Sequence, residues 1–265
     1  MLKNLMKYDL LRTGKYTAYF AAGAVLFTLL TRALSGAGAG SFAGRGLAAV
    51  SLVIAVTLIV GLWLNAFLRF AFGFRESCYK DPSYLTHTLP VARGTVYTAK
   101  FLSGAVNLLV SLAVLLLCVG LLLSAYDAAK PVLDTFLKRE NAPTLALFLL
   151  AVALQAAALL TAILAGIVLG HKGENNRVLI SVLLVFGIYY AMQGLSLGVT
   201  ALTGLFIPEV RAFFTATDMT ADLVQGFGSG ALRTLLLAVC AGYLPGIVAV
   251  FLLGRHAFKK GVNVE

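Results

Sequence analysis

The chain has 265 residues, of which 60% are apolar and 12% charged, and its formal net charge is +10. Soluble domains contain about 45–50% apolar and about 25% charged residues, so this composition excludes an ordinary soluble domain. It predicts a polytopic, all-α integral membrane protein whose first partner is the lipid bilayer. No aromatic-interleaved basic patch or nucleic-acid motif accompanies the positive charge, and we expect no nucleic acid as a partner.

The first fifteen residues have the pattern of an amphipathic helix. Apolar residues share one helical face and basic residues lie mostly elsewhere: Leu2, Leu5, Met6 and Leu10 against Lys3, Lys7, Arg12 and Lys15. Helices of this kind lie in the plane of the membrane interface. We therefore predict an interfacial helix at residues 1–15, retained and not cleaved as a signal peptide, before the chain turns into its first span.

Six mainly apolar stretches approach or exceed the length of about 20 residues that a transmembrane helix needs. They predict spans at about residues 16–34, 47–70, 97–125, 143–170, 178–203 and 232–254 of one transmembrane domain that covers residues 1–265. No carboxylate lies deep in any of these spans, which argues against a proton- or sodium-coupled carrier.

Basic residues are unevenly distributed among the segments between the spans. One alternating set of segments, which includes both termini, carries 14 of the 21 Lys and Arg: Lys3, Lys7, Arg12, Lys15, Arg69, Arg75, Lys80, Arg93, Lys100, Lys172, Arg177, Arg255, Lys259 and Lys260. Because segments rich in Lys and Arg remain on the cytoplasmic side, this bias predicts cytoplasmic N- and C-termini.

The remaining segments are predicted to face outside. Residues 36–46 form a glycine-rich loop that lacks the Lys and Ser/Thr of a phosphate-binding loop. In residues 126–141, apolar residues follow Pro131 at helical spacing, which predicts a short helix on the outer leaflet. Residues 208–230 have mixed polarity, and one interpretation is that they dip partly back into the membrane.

The long cytoplasmic loop between the second and third predicted spans contains a helix signal. Asp81 followed by Pro82 is typical of a helix start, and Pro90 ends the helix near Leu89. The predicted helix at about 82–89 places four side chains on one face: Tyr84, Leu85, Thr88 and Leu89. Such an apolar face favours packing against a partner, whereas a solvated or interfacial loop helix is the alternative.

The chain resembles a known family in this region. A basic amphipathic helix, two spans, then the residues YLTHTLPVAR at 84–93, with Lys100 opening the third span, resemble the type-2 ATP-binding-cassette (ABC) permeases. These are six-span exporter subunits of bacterial cytoplasmic membranes that are encoded separately from their ATPase. The resemblance implies that 82–89 is a coupling helix, with Tyr84, Leu85, Thr88, Leu89 and Arg93 facing the ATPase. It also implies a second permease subunit, identical or different, and places ATP and Mg on the ATPase, with no cofactor on this chain.

Polar side chains inside membrane spans are the default candidates for functional groups. The amides here are Asn65, Asn107, Gln155 and Gln193. Each could line a pathway, but interhelical hydrogen bonding is the interpretation we favour. Small residues that permit close helix approach recur as Gly166/Gly170, Gly194/Gly198 and Gly242/Gly246, either within this subunit or between subunits.

The cysteines and histidines lack the spacing of a metal site or a catalytic motif. We expect buried thiols at Cys78, Cys118 and Cys240, and surface imidazoles at His87, His171 and His256. The sequence therefore predicts a chain without enzymatic activity of its own. The predicted function is that of the transmembrane subunit of an ATP-driven exporter for amphipathic peptides, lipids or hydrophobic drugs, with peptides favoured. The alternative is an ATP-independent carrier or membrane assembly factor.

Overall fold

The computed structural model describes residues 2–37, 41–79, 92–126, 129–173, 176–215 and 229–260. Within these ranges the chain is helical and contains no strand. Six helices are long and apolar enough to cross a membrane: α1 (Leu2–Ala37), α2 (Phe42–Tyr79), α3 (Arg93–Ala125), α5 (Ala142–Gly170), α6 (Arg177–Phe206) and α8 (Gly230–Lys259). The prediction of an all-α multi-pass membrane protein is confirmed at this level.

Two short helices complete the described chain. Helix α4 (Lys130–Leu137) has Pro131 in its first turn, so the helix predicted between the third and fourth spans is confirmed. Helix α7 (Pro208–Thr215) follows α6 after a single residue. The rest of the 208–230 segment up to residue 228 lies outside the described residues, and its return into the membrane stays a prediction.

Helix α1 corrects the predicted change of direction near residue 15. The helix is continuous from Leu2 to Ala37, with no turn between an interfacial part and a span. Gly14 is the weakest helix former there, and one glycine costs only about 1 kcal/mol in a helix. The hydroxyl of Thr13 donates to the carbonyl of Asp9 at 2.8 Å, so this side chain bonds to the preceding turn of the same helix. The location of residues 1–15 in the membrane interface stays a prediction.

Helix α2 extends beyond its predicted end near residue 70. It has 38 residues and ends at Tyr79, so Cys78 lies in a helix and not in a loop. At 1.5 Å per residue such a helix is about 57 Å long, almost twice the roughly 30 Å of a bilayer core. Arg and Glu are good helix formers, so Arg75 and Glu76 mark the end of the apolar run without ending the helix.

The chain divides into two compact units, and the four boundaries between them lie inside helices α1, α2, α3 and α4. The N-terminal unit comprises Lys3–Gly73 and Leu102–Thr135. Its core contains Ala24, Ile59 and Cys118, all buried. The buried hydroxyl of Thr31 donates to Ser51 at 3.0 Å and so joins α1 to α2. At another level of the same helix pair, the Arg69 guanidinium lies 3.7 Å from the centre of the Tyr16 ring.

The C-terminal unit comprises Phe74–Phe101 and Phe136–Glu265, together with the first two residues. Glycines set its packing. A Cβ added to Gly166 would lie 2.9 Å from the Cα of Val185, and one added to Gly170 would lie 2.5 Å from the Cα of Ser181. At Gly242 the corresponding distance to the Cα of Ser196 is 2.6 Å. Helix α6 therefore lies directly against the backbones of α5 and α8 because these positions have no side chain.

Two of the three predicted glycine pairs are thus contacts within this chain. Gly166 and Gly170 face α6 from α5, and Gly242 with Gly246 faces α6 from α8. Gly194 and Gly198 differ, since both are exposed and have no described atom within 4 Å of an added Cβ. Identical sequence motifs therefore have different surroundings in the structure.

Candidate functional site

The predicted coupling helix is flanked by described helices but is not itself described. Tyr84, Leu85, Thr88 and Leu89 fall in residues 80–91, outside the described residues. Arg93 is the first residue of α3 and is exposed. The site is therefore built from its two flanks: the end of α2 at Tyr79 and the start of α3 at Arg93.

Tyr79, at the first flank, and Tyr97, one turn after the second flank, lie in one mostly buried group of rings in the C-terminal unit, which we call the aromatic cluster. Its members are Phe74, Tyr79, Tyr97, Phe251, Phe258 and His171. The Phe74 ring lies 6.4 Å from both Tyr79 and Tyr97, in edge-to-face geometry with each. Edge-to-face ring pairs contribute about 0.5–1.5 kcal/mol beyond the area they bury. Phe74 therefore connects the last residue of α2 to the first turns of α3.

The start of α3 is held against α8. The Tyr97 ring lies 5.4 Å from Phe251 and 5.8 Å from Phe258, and its hydroxyl abuts Gly254 so closely that no side chain would fit there. One turn earlier, an added Cβ on Gly94 would lie 2.6 Å from the Cε of Lys259. Because the Tyr97 hydroxyl occupies the space of a side chain, residue 254 must be glycine for α3 and α8 to pack in this way.

His171 corrects the expectation of a surface imidazole. Only 1% of its surface is exposed, and its ring centre lies 4.0 Å from that of Tyr79. Its Nδ1 atom lies 2.9 Å from the carbonyl oxygen of Ile167 and 3.2 Å from the hydroxyl of Ser181. The loop position and the neighbouring Lys172 suggested a solvated residue, but the α5–α6 turn folds this side chain inward. His256 is exposed as predicted, and His87 lies outside the described residues.

Sequence reasoning also missed the aromatic cluster as a whole. The available signal was the density of rings on either side of residues 80–91, with Phe74 and Tyr79 before and Tyr97 and Phe101 after. The three cysteines are buried, as predicted. Among the described residues, no three His, Cys, Asp or Glu side chains form a group that could hold a metal ion.

Two of the four predicted amides take part in one interhelical network. The Nε2 of Gln193 donates to the hydroxyl of Tyr189 at 2.6 Å, and the hydroxyl of Tyr243 donates to the Oε1 of Gln193 at 2.6 Å. Gln155, on the exposed side, donates to the same Tyr189 hydroxyl at 3.5 Å. The network therefore links α5, α6 and α8, and the choice between a packing role and a pathway role for Gln155 and Gln193 stays a prediction.

The other two amides lie in the N-terminal unit. Asn107 is buried on α3, and its backbone carbonyl accepts a hydrogen bond from Ser111 at 2.9 Å. Asn65 is half-buried on α2, and its Nδ2 atom has no hydrogen-bond partner among the described residues. These two amides therefore belong to a different compact unit of the chain from Gln155 and Gln193.

The Gln193 network predicts a measurable packing energy. Tyr243→Phe removes one hydroxyl and leaves Gln193 without its donor, so we expect a stability loss of about 1 kcal/mol. Adding Gln193→Leu should cost less than the sum of the two single changes, because both remove the same hydrogen bond. Thermal unfolding of the purified chain in detergent measures this. Tyr190→Phe, on an exposed ring, is the control, and an equal loss in that variant would contradict the network.

These features define a class of protein, a multi-pass helical membrane protein whose α2–α3 connection is held at both ends by a buried aromatic cluster. Comparison of the chain with protein-family models, with curated proteins and with solved structures gave no match.

Proposed function

We propose that this chain is the permease subunit of an ATP-driven exporter and couples to a separate ATPase through residues 80–91. The observation that carries the proposal is the aromatic cluster. Tyr79 and Tyr97, which flank this segment, are each at most 1% exposed and share contacts with Phe74. A loop that only connects two spans has no need of such anchoring. A loop that transmits force needs ends that move together with the helices.

The proposed mechanism uses the helices that meet at the cluster. ATP binding draws two ATPase subunits together, and each presses on the 80–91 segment of one permease subunit. Tyr97 delivers this displacement to α8 through Phe251 and Phe258, which lie two turns apart on one face of that helix. Two permease subunits, identical or different, enclose the pathway between them. ATP and Mg are bound by the ATPase, and this chain converts the displacement into alternating access of the pathway.

The proposed cargo follows from the character of the spans. The six spanning helices each contain an apolar stretch with at most two charged residues, so the available lining is apolar with a few hydroxyls and amides. This suits amphipathic peptides, lipids or hydrophobic drugs better than large polar sugars. Peptides are our preferred class, because amide and hydroxyl side chains can pair with a peptide backbone.

The proposal includes a topology in the bacterial cytoplasmic membrane with both termini in the cytoplasm. We expect Lys172→Cys to be protected from a membrane-impermeant maleimide in intact cells and labelled after permeabilisation. Leu137→Cys, on the exposed face of α4, should be labelled in intact cells. The native cysteines are buried and should give little background. Labelling of residue 172 in intact cells would overturn the orientation.

Purification tests the function directly. The tagged chain, expressed with its genomic neighbours, should retain an ATPase whose turnover rises when peptides or hydrophobic drugs of the right class are added. The chain purified alone should hydrolyse no ATP, since it lacks a phosphate-binding loop. Transport by the chain alone in vesicles without ATP would favour the ATP-independent carrier instead.

A further inference from the structure

Two elements that are far apart in sequence meet at the His171 ring. Tyr79 is the last residue of α2, and His171 is the first residue after α5. Their ring centres are 4.0 Å apart with a tilt of 35° between the planes, and both side chains are about 99% buried. The stack therefore joins the end of α2, just before residues 80–91, to the turn between α5 and α6.

The orientation of the His171 ring is set by both helices of that turn. Because the carbonyl oxygen of Ile167 can only accept a hydrogen bond, Nδ1 must carry the proton and donate to it. The Ser181 hydroxyl donates to the carbonyl of Arg177 at 2.7 Å and lies 3.2 Å from the same Nδ1. One contact comes from α5 and the other from α6, so the orientation of the His171 ring is fixed, and the Tyr79 ring stacks against it.

The contact between α5 and α6 beside the His171 ring is tightly packed. Gly170, adjacent to His171, lies directly against Ser181 of α6, with no room for a side chain. The turn is short, and Asn176 completes it in the left-handed conformation, with φ of 50°, which asparagine tolerates better than most residues. A displacement of Tyr79 is therefore passed to α5 and α6 together.

We infer that His171 is a positioning residue for the 80–91 segment, holding Tyr79 so that movement of that segment reaches α5 and α6. The inference rests on the proposed function and adds a second route to it. Tyr97 leads from one flank of the segment to α8, and Tyr79 leads from the other flank, through His171, to α5 and α6. His171 acts through the Tyr79 ring and needs no contact with the ATPase.

The test separates the ring from its hydrogen bond. His171→Asn keeps a donor near Nδ1 but removes the ring, and His171→Phe keeps the ring but removes the donor. We expect His171→Asn to retain the ATPase while its stimulated turnover falls about two- to tenfold, the factor that corresponds to one aromatic pair. His171→Phe should give a turnover between those of His171→Asn and the wild-type chain, because it keeps the ring but loses the hydrogen bond that sets the plane of the ring. The matched control is His256→Asn, on an exposed histidine, which should change nothing.

A purely structural histidine would give a different result. ATPase retention and thermal stability would then fall together, with unchanged turnover per bound ATPase, and this outcome overturns the inference. A measurement without ATPase covers failure of the proposed function itself. In the purified chain, tryptic cleavage after Lys80 should be about two- to tenfold faster in His171→Asn than in His256→Asn, because loss of the stack favours local opening. Equal cleavage rates would also overturn the inference, whether or not an ATPase binds.

Discussion

Replacing Gly170 by alanine should destabilise the C-terminal unit by about 2–3 kcal/mol, a large effect for one added methyl group. The added Cβ would lie 2.5 Å from the Cα and 2.6 Å from the backbone nitrogen of Ser181. A flexible side chain could move away, but backbone atoms can yield only if α6 shifts away from α5. The expected result is a lower unfolding temperature of the purified chain in detergent.

The same substitution at Gly194 provides the matched control. Gly194 is also a helix-interior glycine in an apolar span, but no described atom lies within 4 Å of an added Cβ. Alanine is the better helix former by about 1 kcal/mol, so Gly194→Ala should be neutral or stabilising. Opposite signs at the two positions are therefore expected. A loss of similar size at both would mean that helix flexibility, and not the close approach to Ser181, determines the effect.

Replacing Leu85 by aspartate should abolish retention of the ATPase while leaving membrane insertion intact. If Leu85 is buried against the ATPase, losing its apolar contact costs roughly 1.5–3 kcal/mol. An unpaired carboxylate in that interface adds a further penalty. Since each 1.4 kcal/mol is about tenfold in affinity, the combined loss exceeds about a hundredfold. The measurement is the amount of ATPase that co-purifies with the tagged chain, normalised to the inserted chain.

Leu137→Asp is the control for this change. Leu137 is 67% exposed and is the last residue of the short helix α4. The substitution is again leucine to aspartate, but it lies in a segment that we place on the opposite side of the membrane. It should insert normally and retain the ATPase. If Leu85→Asp also retained the ATPase and exported cargo, the coupling role would be wrong, and a helix lying on the bilayer would be the better interpretation of residues 82–89.

The site was predictable only in part. The aspartate–proline signal and the apolar face pointed to residues 80–91 from the sequence alone, because caps and periodicity are local properties. The anchoring of that segment was not predictable. Tyr79 and His171 are 92 positions apart, and nothing local to either residue indicates the other. The preference for a packing role over a pathway role at Gln193 stays a prediction, and its partners Tyr189 and Tyr243 were not identified from the sequence.

By itself, the sequence determined the number and approximate position of the membrane-spanning helices and the short helix at Pro131, since span length and proline placement depend only on neighbouring residues. Tertiary structure alone decided which glycines lie against a neighbouring backbone and whether His171 faces water or the interior. Gly170 and Gly194 carry the same local signal, yet a second helix lies against only one of them. Such contacts depend on residues far away in the chain, and no local pattern encodes their proximity.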